Sequence, residues 1–203
     1  MDLSLILTLD VGTTALKGAL IDLAGRVIAV QTREYALTYP GPDRVEVDPE
    51  VYWAAAQSVM EALRHEAGAA ADRIGAVGVT SQGETLIALD ARGRPVRPAI
   101  VWLDNRAAEE AGLIRDRFGR ETIYRVTGQQ DIAPCWPACK ILWLRRKEPE
   151  SFRKTAHYLM VEDYLIYRLT GRMATDHALN PSTLYYDLVR GEWWDEMLDF
   201  LGI

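Results

Sequence analysis

Asp10-Val-Gly-Thr-Thr-Ala-Leu-Lys-Gly18 is the stretch on which the fold of this chain turns. Before it lies the apolar run Leu3-Ser-Leu-Ile-Leu-Thr-Leu9, and Leu16 to Leu23 forms a second one, so two strands meet at a short turn. An acid at a strand end, a glycine, two hydroxyls and a lysine suit a metal-bound polyphosphate. Asp10 can hold Mg2+ directly or through water, because that cation takes oxygen ligands and keeps several waters. Gly12 is expected to take a positive φ and to let a phosphate come close. Thr13 and Thr14 offer hydroxyl and backbone N–H donors for an anion, and Lys17 adds a point charge. A second reading of the same residues is a plain hairpin with Gly-Thr-Thr as turn punctuation. The segment is neither a Walker loop, which needs Gly-Lys-Ser/Thr opening a helix, nor a Gly-x-Gly-x-x-Gly dinucleotide fingerprint, and the latter absence argues against a Rossmann oxidoreductase.

The chain has 203 residues, enough for one large domain or two small ones. It is 49% hydrophobic and 26% charged, with a net charge of −6, which is the composition of an ordinary globular protein. The acidic balance argues against nucleic acid, since the one basic cluster, Arg145-Arg146-Lys147, falls at an expected helix end. No apolar run reaches the length of a membrane span, and no basic segment precedes the first one as in a signal peptide. Cys135 and Cys139 are spaced neither for redox chemistry nor for a convincing zinc site, and are expected as reduced thiols. A cytoplasmic location follows from these features.

Residues 3–10, 16–23 and 26–35 are expected to form three consecutive antiparallel strands. A Pro/Gly-rich loop, Tyr39 to Asp43, leads to Asp48-Pro49-Glu50, a strong helix start. That helix carries a stripe of Trp53, Ala56, Val59, Met60 and Leu63, and Gly68 ends it. Ile74 to Thr80 is then a strand parallel to the first through a right-handed crossover. Further along, strands are expected at Thr85–Leu89 and Thr183–Leu188. Helices are expected at Asn105–Phe118, Pro137–Arg146 and Val161–Leu169, with a last one starting at Trp193. The order predicts an α/β fold: a mixed central sheet flanked by helices on both faces. A phosphate turn between its first two strands is the arrangement of a ribonuclease H-like lobe of the actin/hexokinase ATPase type. Trp102 and Trp143 are expected in the core.

Four ordered segments carry a resemblance. Leu9-Asp-Val-Gly-Thr-Thr-x-x-Lys17, Val79-Thr-Ser-Gln-Gly-Glu-Thr85, Ile100-Val-Trp-Leu-Asp-Asn-Arg106 and Ala174-Thr-Asp-His-Ala-Leu-Asn-Pro-Ser-Thr-Leu184 together resemble the FGGY family of carbohydrate kinases, along the whole chain. The resemblance implies ATP-dependent phosphorylation of a sugar or polyol hydroxyl, with ATP and Mg2+ as cofactors. It implies that Asp10 positions Mg2+ and that Gly12, Thr13, Thr14 and Lys17 hold the β- and γ-phosphates. Gln82, Glu84, Asp104 and Trp136 become candidates for the acceptor site, with two alternatives open: Asp104 and Arg106 as a strand-end ion pair that shapes the pocket, and Trp136 as ordinary core packing. A carboxylate at Glu84 can accept charge-assisted bonds from two hydroxyls. Gly83 stands where glycerol kinases carry an arginine, which argues against glycerol and for a bulkier acceptor.

Family members are longer, with two similar lobes. The resemblance therefore casts residues 1–203 as an N-terminal lobe that stops before its end. The general base is expected beyond residue 203, and the C-terminal lobe, with the adenosine site, is absent. The partners expected are a small-molecule sugar or polyol and that missing lobe, with a homodimer allowed and neither nucleic acid nor membrane. The isolated chain is expected to be inactive, and the alternative is an orphan lobe acting as a binding or regulatory module. An activator-type ATPase would be expected to carry cysteine ligands for an iron–sulfur cluster, which Cys135 and Cys139 fit poorly.

Overall fold

A computed structural model describes residues 4–203, so Leu3, expected to open the first strand, lies outside the described residues. The chain runs β1 (Leu5–Val11), β2 (Ala15–Asp22), β3 (Val27–Glu34), β4 (Thr38–Gly41), β5 (Arg44–Val47), α1 (Pro49–Ala67), β6 (Ile74–Ser81), β7 (Ile87–Leu89) and β8 (Ala99–Ile100). It continues through α2 (Ala108–Phe118), α3 (Arg120–Thr127), α4 (Pro137–Lys147), α5 (Pro149–Lys154), β9 (His157–Leu159), α6 (Val161–Thr170), β10 (Tyr186–Asp187), β11 (Glu192–Trp193) and α7 (Asp195–Leu201). These elements form two compact units.

The first unit takes residues up to Leu37, Asp48–Gln82 and Val161–Met173. Its sheet has the order β3-β2-β1-β6, with β1, β2 and β3 antiparallel and β6 parallel to β1. This is the expected meander followed by a crossover. In β1 the residues Leu5, Leu7, Leu9 and Val11 are buried, whereas Asp10 between the last two is exposed. That alternation is the mark of a strand buried on one face. The register sets Leu9 opposite Gly18, so both face the same way. A Cβ on Gly18 would lie 2.4 Å from Val59 Cγ1 and 3.1 Å from Leu63 Cδ1, so α1 seats on this face through the missing side chain.

Helix α1 starts as its sequence demands. The Asp48 carboxylate accepts the Glu50 N–H at 3.0 Å, Pro49 opens the first turn, and Gly68 closes the last with φ 54°. Its buried residues are Pro49, Tyr52, Ala56, Val59 and Leu63, so Tyr52 takes the core position expected of Trp53. Trp53 lies instead beneath the Arg168 guanidinium of α6, 4.9 Å from the ring centre, and Arg168 also pairs with Glu50. On the sheet face opposite α1, Ile28 and Val30 are 50% and 55% exposed.

The second unit takes Thr38–Val47, Gly83–Met160 and Ala174–Ile203. It holds the small sheets β4-β5-β8, β7-β9 and β10-β11. Helix α4 is its axis: every residue from Pro137 to Leu144 is buried. Ile114 of α2, Ile123 of α3, and Met197 and Leu201 of α7 belong to the same apolar cluster as Ile141 and Leu144. Arg145, Arg146 and Lys147 do end α4, where Arg146 pairs with Glu109 and Glu110 of α2. The expected Pro/Gly-rich loop is in fact the β4–β5 hairpin, with Pro40 tolerated because β4 is an edge strand. The expected strands Thr85–Leu89 and Thr183–Leu188 shorten to β7 and β10. The last helix starts at Asp195 rather than Trp193.

Gly18→Ala is expected to lower the unfolding free energy by about 1–3 kcal/mol in a urea titration, the usual effect of overfilling a packed site. Gly78→Ala, where a Cβ meets nothing within 4 Å, is the control and should stay within roughly 0.5 kcal/mol of the parent. Equal stabilities of the two variants would contradict the seating of α1 on Gly18.

Candidate functional site

In the first unit the candidate residues gather at the β1–β2 turn. Gly12 N–H donates to Ala15 O at 2.9 Å, closing the turn. The carbonyls of the turn are turned into the unit. Val11 O accepts from Gln82 N at 2.8 Å, and Thr14 O accepts from Tyr35 N at 2.9 Å. Gly12 O accepts twice, from the Tyr35 hydroxyl at 2.5 Å and from the Gln82 amide at 3.2 Å. Because a peptide is planar and trans, the Thr13 N–H points opposite to the Gly12 carbonyl, away from these donors. At this one peptide the amide, not the carbonyl, faces away from Tyr35 and Gln82, which is the polarity an anion requires.

Two tyrosines hold this arrangement. Tyr35 and Tyr52 meet edge to face, with ring centres 5.4 Å apart, and the Gln82 amide also donates to Tyr52 Oη at 3.0 Å. Burial first, and then the charge of Asp10, push the Tyr35 phenol above its usual range. Burial and the neighbouring Tyr35 do the same to Tyr52. Both stay protonated and able to donate. Neither is singled out by the sequence motif. Gln82, expected at the acceptor, donates its amide to Gly12 O and to Tyr52 Oη.

Register brings the charges together. Asp10 lies directly opposite Lys17 on β2 and beside Thr80 on β6, so all three share one face. Asp10, Lys17 and Thr80 are exposed. Thr80 is a hydroxyl that the motif alone does not reveal. Gly12 departs from expectation, since its φ is not positive. Its glycine is explained by crowding: a Cβ would sit 3.1 Å from Ala15 O. Among the described residues no three His, Cys, Asp or Glu side chains cluster as a metal site. A cation at Asp10 would draw its other ligands from phosphate oxygens and water, as Mg2+ commonly does.

In the second unit Glu84 is the centre of a three-residue turn. Thr85 N–H donates to Gly83 O at 2.7 Å, and Glu84 has φ 56°. A left-handed φ at a non-glycine centre is the rare, strained form of this turn. Lys140 of α4 is fully buried and reaches that turn: its Nζ donates to Glu84 O at 2.6 Å, Val101 O at 3.1 Å and Ile100 O at 3.3 Å. Burial drives the Lys140 ammonium down to about 7, opposed by the charges of Cys135, Asp104, Glu84 and Cys139. Three carbonyl acceptors match the three N–H donors of the charged form.

Asp104, expected near the acceptor, is not available to one. It is fully buried, and its oxygens accept from Val45 N at 2.6 Å, Arg106 N at 3.0 Å, Arg106 Nε at 2.8 Å and Arg106 Nη2 at 2.7 Å. Its carboxylate anchors the loop before α2, and Arg106 continues the network to Glu46 and over the Trp143 ring. Trp136 precedes α4, half-buried, with Nε1 donating to Asp131 O at 3.0 Å. Trp143 is in the core as expected, but Trp102 is 39% exposed and is not. The segment after Ala174 is a folded turn: Asp176 accepts the Ala178 and Leu179 N–H groups at 2.7 Å, and Leu184, buried, has φ 64°. Cys135 and Cys139 are free thiols, both raised chiefly by burial. No helix among the described residues is long and apolar enough to cross a membrane.

Comparison with known proteins agrees with the four motifs. The model of the FGGY family of carbohydrate kinases, N-terminal domain, matches residues 5–203. Xylulose kinase of Escherichia coli (strain K12) is 35% identical over 94% of this chain and 38% of its own length. Glycerol kinase of Thermus brockianus is 36% identical over 98% of this chain and 41% of its own. Among solved structures, ligand-bound xylulose kinase from Lactobacillus acidophilus superposes with a TM-score of 0.91 at 32% identity, covering 98% of this chain and 40% of that one. The chain thus spans about two fifths of the length of the relatives it matches. With a family model covering nearly every described residue and the same turn carrying its first motif, the chain belongs to the FGGY family of carbohydrate kinases.

Proposed function

We propose that this chain is the phosphate- and acceptor-binding part of an enzyme that transfers the γ-phosphoryl group of ATP to a sugar or polyol hydroxyl. The observation that supports this most is the β1–β2 turn, whose carbonyls are bonded inward while Asp10 and Lys17 stand opposite each other at the exposed strand ends. In this reading Asp10 holds Mg2+, and Gly12, Thr13, Thr14 and Lys17 hold the β- and γ-phosphates. The metal supplies charge neutralisation on the transferred group, and the protein's share is positioning and electrostatics. Gln82 braces the turn through Gly12 and Tyr52. Glu84 accepts hydrogen bonds from acceptor hydroxyls, and Trp136 offers an apolar wall. The base that takes the acceptor proton is assigned to residues beyond 203, and the adenosine site to a C-terminal lobe. The cytoplasm is the compartment proposed, with a homodimer compatible.

Asp10→Asn is expected to weaken Mg·ATP binding by about tenfold to a hundredfold in calorimetry, the usual weight of a charge-assisted contact. An unchanged affinity would contradict a metal-holding role. A Cβ at Gly83 meets nothing within 4 Å, so a side chain can start there without a clash at its first atom. Gly83→Arg is expected to shift binding from D-xylulose toward glycerol by about tenfold, one added hydroxyl-binding donor. A variant whose preference does not move would remove Gly83 from the acceptor site.

A further inference from the structure

Among the described residues Lys140 is the one lysine in the second unit's core, and its ammonium bonds three backbone carbonyls rather than a carboxylate. Burying an ammonium is strongly unfavourable unless its donors are satisfied. A methionine or leucine would fill the same volume without that cost, and the rest of the stretch Ala138–Leu144 is apolar. The compensation lies in what the ammonium joins. Its three acceptors come from two separate stretches, residue 84 and residues 100–101. Those stretches are also tied by the paired bonds Leu86 N to Ile100 O at 2.9 Å and Ile100 N to Leu86 O at 3.0 Å. Ile100 O thus uses both of its lone pairs, one on Leu86 and one on Lys140. Thr85, buried between them, accepts the Trp102 N–H through its hydroxyl at 3.2 Å.

The strongest of the three bonds goes to the one carbonyl whose residue is strained. A left-handed backbone is unfavourable for a non-glycine residue and persists only where its surroundings enforce it. The backbone direction at residue 84 decides where its carboxylate leaves the chain. We propose that Lys140 is the positioning residue of the acceptor site: its buried ammonium pins the Glu84 carbonyl to those of Ile100 and Val101 and so holds the Glu84 carboxylate in the direction that meets acceptor hydroxyls. Lys140 touches no acceptor in this account and acts only through Glu84. The inference rests on the role proposed for Glu84 above. It assigns to a core lysine a part in acceptor specificity that neither its burial nor its helix would suggest.

The test has two arms on the 203-residue chain. In the first, D-xylulose and Mg·tripolyphosphate are titrated separately into parent and Lys140→Met chains, followed by amide chemical shifts. The expected result is a dissociation constant for D-xylulose raised about tenfold in the variant, with polyphosphate binding at Gly12 to Lys17 unchanged. A folded variant that binds D-xylulose as the parent does overturns the proposal, and so does one that loses both ligands equally, which is the mark of a merely structural lysine. The second arm needs no acceptor and no Lys140 variant to fold. Glycine relieves a left-handed residue and alanine does not, so Glu84→Gly is expected to exceed Glu84→Ala in folding equilibrium constant about threefold to tenfold in urea titrations, beyond the unfolded-chain entropy that glycine adds; a glycine variant no more stable than the alanine one would mean that nothing is being held against strain, and the pin would fall. If the parent chain binds no sugar or polyol while Glu84→Gly shows its gain, it is the proposed function that fails and not the pin.

Discussion

The carbonyl of Gly12 is the point on which the phosphate turn depends. It accepts from Tyr35 and from Gln82, one donor from just beyond β3 and the other from the end of β6. Those two bonds fix the peptide between residues 12 and 13, with its amide facing away from both donors. The tyrosine hydroxyls behind them are themselves locked: Tyr35 by burial and ring packing on Tyr52, Tyr52 by the Gln82 amide. The result is preorganisation, in which the ordering cost of the loop is met on folding rather than on binding.

The same logic runs through the second unit with different chemistry. There a buried ammonium and a buried carboxylate each gather loose backbone. Lys140 collects three carbonyls, and Asp104 collects the Val45 and Arg106 N–H groups. One lacks acceptors of its own and the other lacks donors, so each satisfies backbone groups that short, irregular strands leave unpaired. Removing one partner from such a buried pair commonly costs about 3–5 kcal/mol, because the remaining charge is stranded. Loops that carry function on rigid elements need supports of this kind, since the elements themselves, β7 and β8, are only three and two residues long.

Much of this was legible in the residues. The alternation of β1, the Asp48-Pro49-Glu50 start and the Gly68 stop are local signals, and each produced the element it predicts. The pairing of Asp10 with Lys17 comes from the register of β1 on β2, which the expected strand bounds did not fix. Other features depend on partners far away in sequence. The hairpin Thr38–Val47 contains a proline and a glycine, which on their own signal a loop; it becomes a strand pair because Glu46 and Val47 find Ile100 and Ala99. Asp104 reads either as a site acid or as one half of an ion pair with Arg106, and the ion pair is what forms, closed off by the Val45 N–H from a strand far away in sequence. Lys140 left one usable trace, a single cation inside the stretch Ala138-Cys-Lys-Ile-Leu-Trp-Leu144. A helix segment apolar all round is a buried one, so a charge within it must have found partners. The left-handed φ of Glu84 left none, because no residue type in that turn demands it.

The central claim is that the β1–β2 turn is the phosphate site, with Asp10 on the metal. Anomalous diffraction from crystals of the chain grown with Mn2+ in place of Mg2+ and a non-hydrolysable ATP analogue tests it most directly. The account predicts a manganese peak within direct or single-water reach of the Asp10 carboxylate, with phosphate density against the backbone of residues 12–14. Manganese and phosphate bound together at any other place on the chain, with that turn bare, would contradict it.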